Sequence, residues 1–371
     1  MGVVWTALIL GACGTGGTNV ASHSPTQAAT GSASPSASPA PTQSPISPAD
    51  LRLVISDFSA NQVRLAKVDA TDTATVSGLF DEIVDGQVIV LNGNLIESLN
   101  QAGTVRKLGV RATPAAGWYA DDTIALAPDL SQWVYSIRDQ SSTAQIHLGT
   151  GQSDRVVATL QSPDGNAYYR PYAWNRSGLY MVRQAVGIGG AGPFLEYRFP
   201  LARFNLTTGK VADVAPTCIA YGVLDDGTLL CGNRAQGGLE VRSPSGKVAA
   251  IRIATGTGTD VNAAFVRVMA STDQKTLIAG RNGSADPNLI NYQMARTALT
   301  GSAAQPFGPP DYLPDTWLPD GRVVADHVCV YIDWGPGPCD SSKDGTYFIS
   351  ADGTSTSFFY KLTHGAVVGY V

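Results

Sequence analysis

One short pattern recurs along the chain, a turn signal followed by a run of β-branched or aromatic residues, and it limits the chain to few folds. Its clearest copy is Trp317-Leu318-Pro319-Asp320-Gly321-Arg322-Val323-Val324-Ala325. Worn copies run from Asp85-Gly86 into Val88-Ile89-Val90, from Pro128-Asp129 into Trp133-Val134-Tyr135, and from Ser177-Gly178 into Leu179-Tyr180-Met181. Two more run from Asp226-Gly227 into Leu229-Leu230 and from Asp273-Gln274 into Leu277-Ile278. Aligned on Val88, Trp133, Tyr180, Leu229, Leu277 and Val323, the steps are 45, 47, 49, 48 and 46 residues. A repeat of this length marks the blades of a ring, each a small sheet that cannot bury both of its faces alone.

A second pattern marks the outer half of each blade: an alternating strand, a Gly or Asp turn, and another alternating strand. Copies run from Val63 to Val76, Leu95 to Leu108, Gln145 to Ala158, Leu201 to Val211, Leu239 to Arg252, Tyr292 to Gln305 and Thr346 to Phe359. Outer hairpins thus number seven and inner hairpins six, so one blade lacks its innermost strand on the N-terminal side. The C-terminal run Ala366-Val367-Val368-Gly369-Tyr370-Val371 is the natural donor. Pairing it into the first blade closes the ring and removes the exposed edges that invite aggregation. Residues 51–371 are therefore predicted to form an all-β, seven-bladed β-propeller closed by a C-terminal strand. Six or eight blades are the alternatives if the first or last hairpin is misread. A pair of β-sandwiches is the other architecture, and the near-constant period argues against it.

Composition agrees: 40 Gly and 22 Pro supply many turns, and 44% hydrophobic with 15% charged residues describe a globular chain. Lys and Arg total 25 against 30 Asp and Glu, a formal net charge of -5. Nucleic-acid binding needs a concentrated positive field and is not expected.

The N-terminus carries an apolar run, Val3-Val4-Trp5-Thr6-Ala7-Leu8-Ile9-Leu10, too short to span a bilayer and like the h-region of a secretory signal. It ends in Leu10-Gly11-Ala12-Cys13, which resembles a bacterial lipobox, although no Lys or Arg precedes the run. That resemblance implies a signal peptide over residues 1–12, cleavage before Cys13, acylation of its thiol, and export. An ordinary cleaved signal is the alternative. Residues 13–50 then form a linker of Ser, Thr, Ala, Pro and Gly with almost no large apolar side chains, expected to be a disordered tether. As a flexible coil it reaches roughly 30 to 40 Å. The expected location is the bacterial cell envelope, lipid-anchored to the outside of the cytoplasmic membrane or in the periplasm, with a monomeric domain.

The pairing of the Pro319-Asp320-Gly321 inner turn with the Thr208-Gly209-Lys210 outer turn resembles the TolB-like and WD40-like bacterial propellers over residues 51–371. No Trp-Asp dipeptide closes the blades, so the likeness is nearer TolB-like. If Leu51 begins a second strand, the tether enters on the face of the inner turns. The loops between blades then open on the opposite face.

After Cys13 four cysteines remain, an even number that in an exported chain favours two disulfides. Cys218 opens an inner strand and Cys231 ends its neighbour, while Cys329 and Cys339 bracket a Gly- and Pro-rich loop. Closing loops of this size contributes roughly 2 to 3 kcal/mol. A thiolate metal site lacks the Cys-x-x-Cys spacing it needs.

Signatures of catalysis are sparse. His23, His147, His327 and His364 are scattered without zinc-site spacing, and no Gly-x-Ser-x-Gly occurs. Asp326 beside His327 reads as a strand end, since neighbours in a strand point to opposite faces. Gly187-Ile188-Gly189-Gly190-Ala191-Gly192 spells a dinucleotide fingerprint but leads into a predicted strand where the mechanism needs a helix, so no cofactor is expected. Asp121, Asp122, Asp311, Asp315, Asp320 and Asp333 include pairs that could serve a glycosidase. Turn aspartates bonded to their own backbone are the commoner reading. Calcium lacks an Asp-x-Asp-x-Asp-Gly loop.

Aromatic residues and an arginine cluster where the loops between blades should open: Trp118, Tyr119, Tyr168, Tyr169, Arg170, Tyr172, Asp311, Tyr312 and Trp317. Such side chains combine large contact area with a polar tip and commonly anchor binding. The sequence therefore points to a propeller that binds an envelope protein or glycan through its loop face. Trp118, Tyr119, Tyr169, Arg170, Tyr172, Asp311 and Tyr312 are the expected contacts. Two other readings stand beside it: a carbohydrate-active hydrolase or lyase with acids among Asp121, Asp122, Asp311 and Asp315, and a structural lipoprotein without a small ligand.

Overall fold

The segments read as alternating strands do pair as strands, and the repeat becomes a ring of seven four-stranded antiparallel blades. The computed structural model describes residues 50–151, 153–162, 165, 167–185, 200–233, 238–251, 265–282, 292–301, 304–327, 340–361 and 365–371. Blade one holds β1 (Leu53–Asp57), β2 (Gln62–Ala66) and β3 (Asp72–Ser77). Blade two holds β4 (Leu79–Val84), β5 (Gln87–Asn92), β6 (Leu95–Asn100) and β7 (Val105–Val110). Blade three holds β8 (Tyr119–Leu126), β9 (Trp133–Arg138), β10 (Thr143–Thr150) and β11 (Ser153–Gln161). Blade four holds β12 (Ala167–Asn175), β13 (Gly178–Ala185), β14 (Pro200–Asn205) and the start of β15 (Lys210–Val223). The far end of β15 begins blade five, which continues with β16 (Leu229–Asn233), β17 (Gly238–Arg242) and β18 (Val248–Ile251). Blade six holds β19 (Phe265–Ala270), β20 (Thr276–Asn282), β21 (Tyr292–Ala298) and β22 (Gln305–Pro306). Blade seven holds β23 (Tyr312–Trp317), β24 (Val323–His327), β25 (Gly345–Ile349) and β26 (Thr356–Tyr360).

The last strand, β27 (Ala366–Tyr370), pairs antiparallel with β1 and supplies the innermost strand of blade one, so the ring closes through the C-terminus as expected. Strand β1 holds the second position of its blade, and the chain therefore enters on the face of the inner turns.

Those inner turns share a frame. The Leu318 N–H donates to Arg322 O (2.8 Å), Gly321 N–H donates to Leu318 O (3.0 Å), and the Arg322 N–H is held by Asp320 Oδ1 (3.0 Å). Gly321 sits at φ +87, in the left-handed region that only glycine enters without cost. This is why the Asp-Gly signal tracks the blades.

Between blades lies the core. Ile89, Leu91 and Ile96 of blade two pack on Leu126, Trp133 and Tyr135 of blade three, and Leu53, Ile55 and Val367 of blade one pack on Val324 and Phe348 of blade seven. Trp133 shows how tight this packing is. Its indole lies between Gly109 of β7 and Gly149 of β10, and a Cβ at either glycine would overlap the ring. Both glycines are required by close approach, and neither has a left-handed φ.

Every innermost strand slips register against its second strand. The shifts fall between Phe80 and Ile83, Ala120 and Ile124, Pro171 and Ala173, Ala220 and Gly222, Phe265 and Arg267, and Pro314 and Thr316. In β27 the residue passed over is Val368. A bulge leaves its extra residue unpaired and re-aims its side chain. Asp81, Glu82, Asp121, Asp122, Tyr172, Tyr221 and Asp315 all stand at these places.

Two of them close the gap to the next blade. Ile124 N–H donates to Asp81 Oδ1 (3.0 Å) and Leu126 N–H donates to Glu82 Oε1 (2.8 Å), so the carboxyls of β4 satisfy the free edge of β8. Burial raises Asp81 well above the usual carboxylate range, with Glu82 beside it adding to the rise. Burial likewise pushes Glu82 up to about 7.

Two predictions follow from this packing. Replacing Gly149 by Ala forces a methyl into Trp133 and is expected to lower stability by about 1–3 kcal/mol, read from urea unfolding. For Glu82 the folded group binds its proton more tightly than the unfolded one. Its stabilising contribution is therefore complete below about pH 4.5, declines as pH rises, and is gone above about 7. A loss on the order of 3 kcal/mol is expected across that window. Glu82→Gln keeps the acceptor for Leu126 and should flatten the slope; an unchanged slope would show that another group titrates.

Candidate functional site

Strands β8 and β12 open side by side on the inner ring, and the sequence there is unusually polar for buried strands. Tyr119 begins β8 and is 46% exposed. Its hydroxyl accepts a hydrogen bond from Gln140 Nε2 (3.0 Å), in the loop after β9. Arg138, at the end of β9, places its guanidinium 5.8 Å from the Tyr119 ring centre and 4.7 Å from that of Tyr168. It also donates weakly to Asp139 O (3.5 Å), and among the described residues no carboxylate lies within ion-pair distance of it, so the two rings orient it.

Deeper in, Asp121 is buried and Arg170 of β12 approaches it at 3.9 Å. Ser136 Oγ donates to the same carboxylate (3.4 Å), a weak contact. Burial raises Asp121, and the charge of Arg170 opposes the rise. Arg111 braces this corner by donating to Asp121 O (2.6 Å) and Gly93 O (2.8 Å). Arg170 also lowers Asp81, so its charge acts from blade four back to blade two. Asp122, beside Asp121, is exposed. Blades two to four thus bring Arg138 and Arg170 toward the Asp121 carboxylate and Arg111 onto its backbone carbonyl, with Asp81 and Glu82 on the neighbouring β4.

The expected contact residues divide. Tyr119 and Arg170 line this corner, and Tyr172 stands on the bulge of β12, partly buried against the core of blades four and five. Trp118 packs partly buried against the core between blades two and three. Tyr169 is 7% exposed within the core of blades three and four. Tyr312, also 7% exposed, sits edge-on to His327 and Tyr347 in blade seven. Asp311 is a turn residue at φ +70 whose N–H donates to Tyr292 O (2.7 Å).

Among the acids, the Asp315 side chain is fully buried and ion-paired with Arg267, whose guanidinium also reaches Pro314 O (3.4 Å). Asp326 accepts from Thr346 Oγ1 (2.6 Å) while His327 Nδ1 lies 3.0 Å from Asp344, so these neighbours do face apart. His147 Nδ1 lies 2.7 Å from Asp154 Oδ1, and Tyr135 shares that carboxylate while accepting from Ala112 N–H (2.7 Å). This network clamps blade three to the preceding loop. Among the described residues no group of three or more His, Cys, Asp or Glu could hold a metal ion.

Cys218 and Cys231 form the expected disulfide across β15 and β16, with Cα atoms 4.9 Å apart. Cys13, Cys329, Cys339, His23, His364 and the Gly187–Gly192 run lie outside the described residues. A separate cleft of about 450 Å³, lined by Lys107, Leu108, Gly109, Val110 and Gly151, lies at the seam of blades two and three and gathers no converging polar groups beyond one lysine.

Sequence reasoning missed Arg138, Arg111 and the Asp81–Glu82 pair. The available signal was two successive acids interrupting an apolar strand just before an inner turn, at 81–82 and again at 121–122.

No family model matches the chain, and no curated protein matches it. Solved structures do resemble it. One is an oligogalacturonate lyase in complex with manganese, at 12% identity over 76% of this chain and 88% of the other, with a TM-score of 0.49. Another is a TolB from Acinetobacter baumannii, at 13% identity over 86% of this chain and 66% of the other, with a TM-score of 0.40. A third is a putative TolB from Agrobacterium tumefaciens, at 13% identity over 85% of this chain and 91% of the other, with a TM-score of 0.38. By its own strand order the chain is a seven-bladed β-propeller.

Proposed function

We propose that the protein is an envelope recognition propeller, anchored through a lipid on Cys13, that binds a glycan or protein segment where β8 and β12 meet the loop face. The observation that carries this reading is the pairing of an exposed Tyr119 with Arg138, whose guanidinium lies over two rings and, among the described residues, has no carboxylate within ion-pair distance, Asp121 acting on it only from farther off. Preordered aromatic and arginine side chains lose little entropy when a ligand covers them. The enzyme reading is weaker on geometry. Asp315 is taken up by Arg267, Asp311 serves a turn, and Asp121 and Asp122 lie on another blade. The buried disulfide supports an oxidising compartment, where such bonds persist.

Two measurements test the reading. Purified full-length chain, run against isolated envelope proteins and a glycan array, should retain a ligand that a Tyr119→Ala/Arg138→Ala variant binds at least about tenfold more weakly. Equal retention by both proteins would refute the site. For the anchor, radiolabelled palmitate should enter the wild-type chain in bacteria and be absent from Cys13→Ser, which should move to the soluble fraction. Label on both would place the lipid elsewhere.

A further inference from the structure

Resting on the same inner-ring site, we propose that the Arg170 guanidinium is the receptor for a carboxylate group of the ligand, with Arg138 and Tyr119 flanking the entry. A guanidinium carries five N–H donors in a planar fork. Among the described residues Arg170 meets one ionic partner, Asp121 at 3.9 Å, beyond hydrogen-bond range, and its Nε–H is buried with no acceptor. Its side chain is nonetheless 26% exposed.

Other arginines in the chain are bonded differently. Arg111 donates to two carbonyls, at 2.6 and 2.8 Å. Arg242 grips Glu240 through two nitrogens, at 3.0 and 2.7 Å. Arg322 holds Asp320 in the same way, at 2.8 Å through each nitrogen. Arg267 is occupied by Asp315 and Pro314 O. Arg170 alone among these five keeps its hydrogen-bonding fork open.

Charge decides which anion fits. Arg138 and Arg170 act on the Asp121 carboxylate, Arg111 bonds its backbone carbonyl and acts on Asp81, and Asp122 is exposed and screened by solvent. Asp81 and Glu82 are tied to the β8 backbone and hold their protons more tightly than free carboxyls, so they oppose an anion less. The remaining positive excess is small, enough for one negative charge and poorly matched to a dianion. A carboxylate also matches the planar fork with two parallel hydrogen bonds. Two sources supply that group: a uronic acid residue of a glycan and the terminal carboxylate of a peptide.

Calorimetric titration of the full-length chain separates them. The probes are D-glucuronate against D-glucose, and N-acetyl-L-alanine against its amide, with inorganic phosphate as a further anion. One carboxylate is expected to bind at least about tenfold more tightly than its neutral counterpart, and which one identifies the source. Arg170→Gln should weaken that binding roughly ten- to hundredfold. Melting curves without ligand report whether each variant is folded. If Arg170→Gln melts early, Arg170→Lys replaces it, keeping the charge without the fork and expected to bind several-fold more weakly. Carboxylates that bind no better than their neutral counterparts, tighter binding of phosphate, or indifference to both substitutions would overturn the proposal. Capture of an envelope ligand that depends on Tyr119 and Arg138 but ignores Arg170 would retain the loop-face reading and remove the carboxylate. Carboxylate binding without envelope capture would do the reverse.

Discussion

Radial blades leave one backbone edge of each innermost strand facing the axis, with no further strand to pair it. Buried N–H and C=O groups left without partners are costly. In this chain side chains from the preceding blade do part of that pairing. Asp81 and Glu82 accept the N–H groups of Ile124 and Leu126, and Arg267 donates to Pro314 O. The charged residues of the inner ring are there first because the ring must be sealed. Their spacing follows from the bulges, which turn a side chain out of the blade and toward the next strand.

The same constraint explains why structural and functional charges are hard to separate in this fold. A carboxyl that satisfies a backbone amide is desolvated, so its affinity for a proton rises with no catalytic task behind it. Asp81, Glu82 and Asp326 show raised proton affinity and bonds to neighbouring groups in the same places. A perturbed acid is therefore weak guidance here. An arginine with its donors unmade is stronger guidance, because sealing the ring would have used them.

Architecture was legible because it rests on local rules repeated many times. Pro319-Asp320-Gly321 and its relatives announce turns through the left-handed glycine and the aspartate that holds the turn, and alternation announces the strands between. Even the closing strand could be read, since a count of hairpins leaves one partner missing. The site was only partly legible. Tyr119 and Arg170 were expected in loops between blades and stand instead in the innermost strands β8 and β12, while Tyr169 and Tyr312 look the same in sequence and pack into cores. One residue of register decides between core and surface in a strand, and bulges shift that register without a consistent residue signature. Arg138 was invisible for another reason: it belongs to a second strand, where it stands opposite Tyr119 of the same blade, and it meets Tyr168 only once blades three and four are packed.

A near-symmetric ring acquires a direction through those bulges. At the place where blades two and three present Asp81, Glu82, Asp121 and Asp122, blade one presents Val368 and blade seven spends Asp315 on Arg267. The backbone thus offers equivalent positions and the sequence fills them unequally. Polar side chains gather at blades two to four, where Arg170 and Asp122 keep polar groups open, whereas blade seven closes its acid in an internal ion pair and blade one offers an apolar residue. A ligand held on such a ring would meet it off-centre, against β8 and β12. Recognition there would depend on a few side chains that the sealing of the ring does not consume.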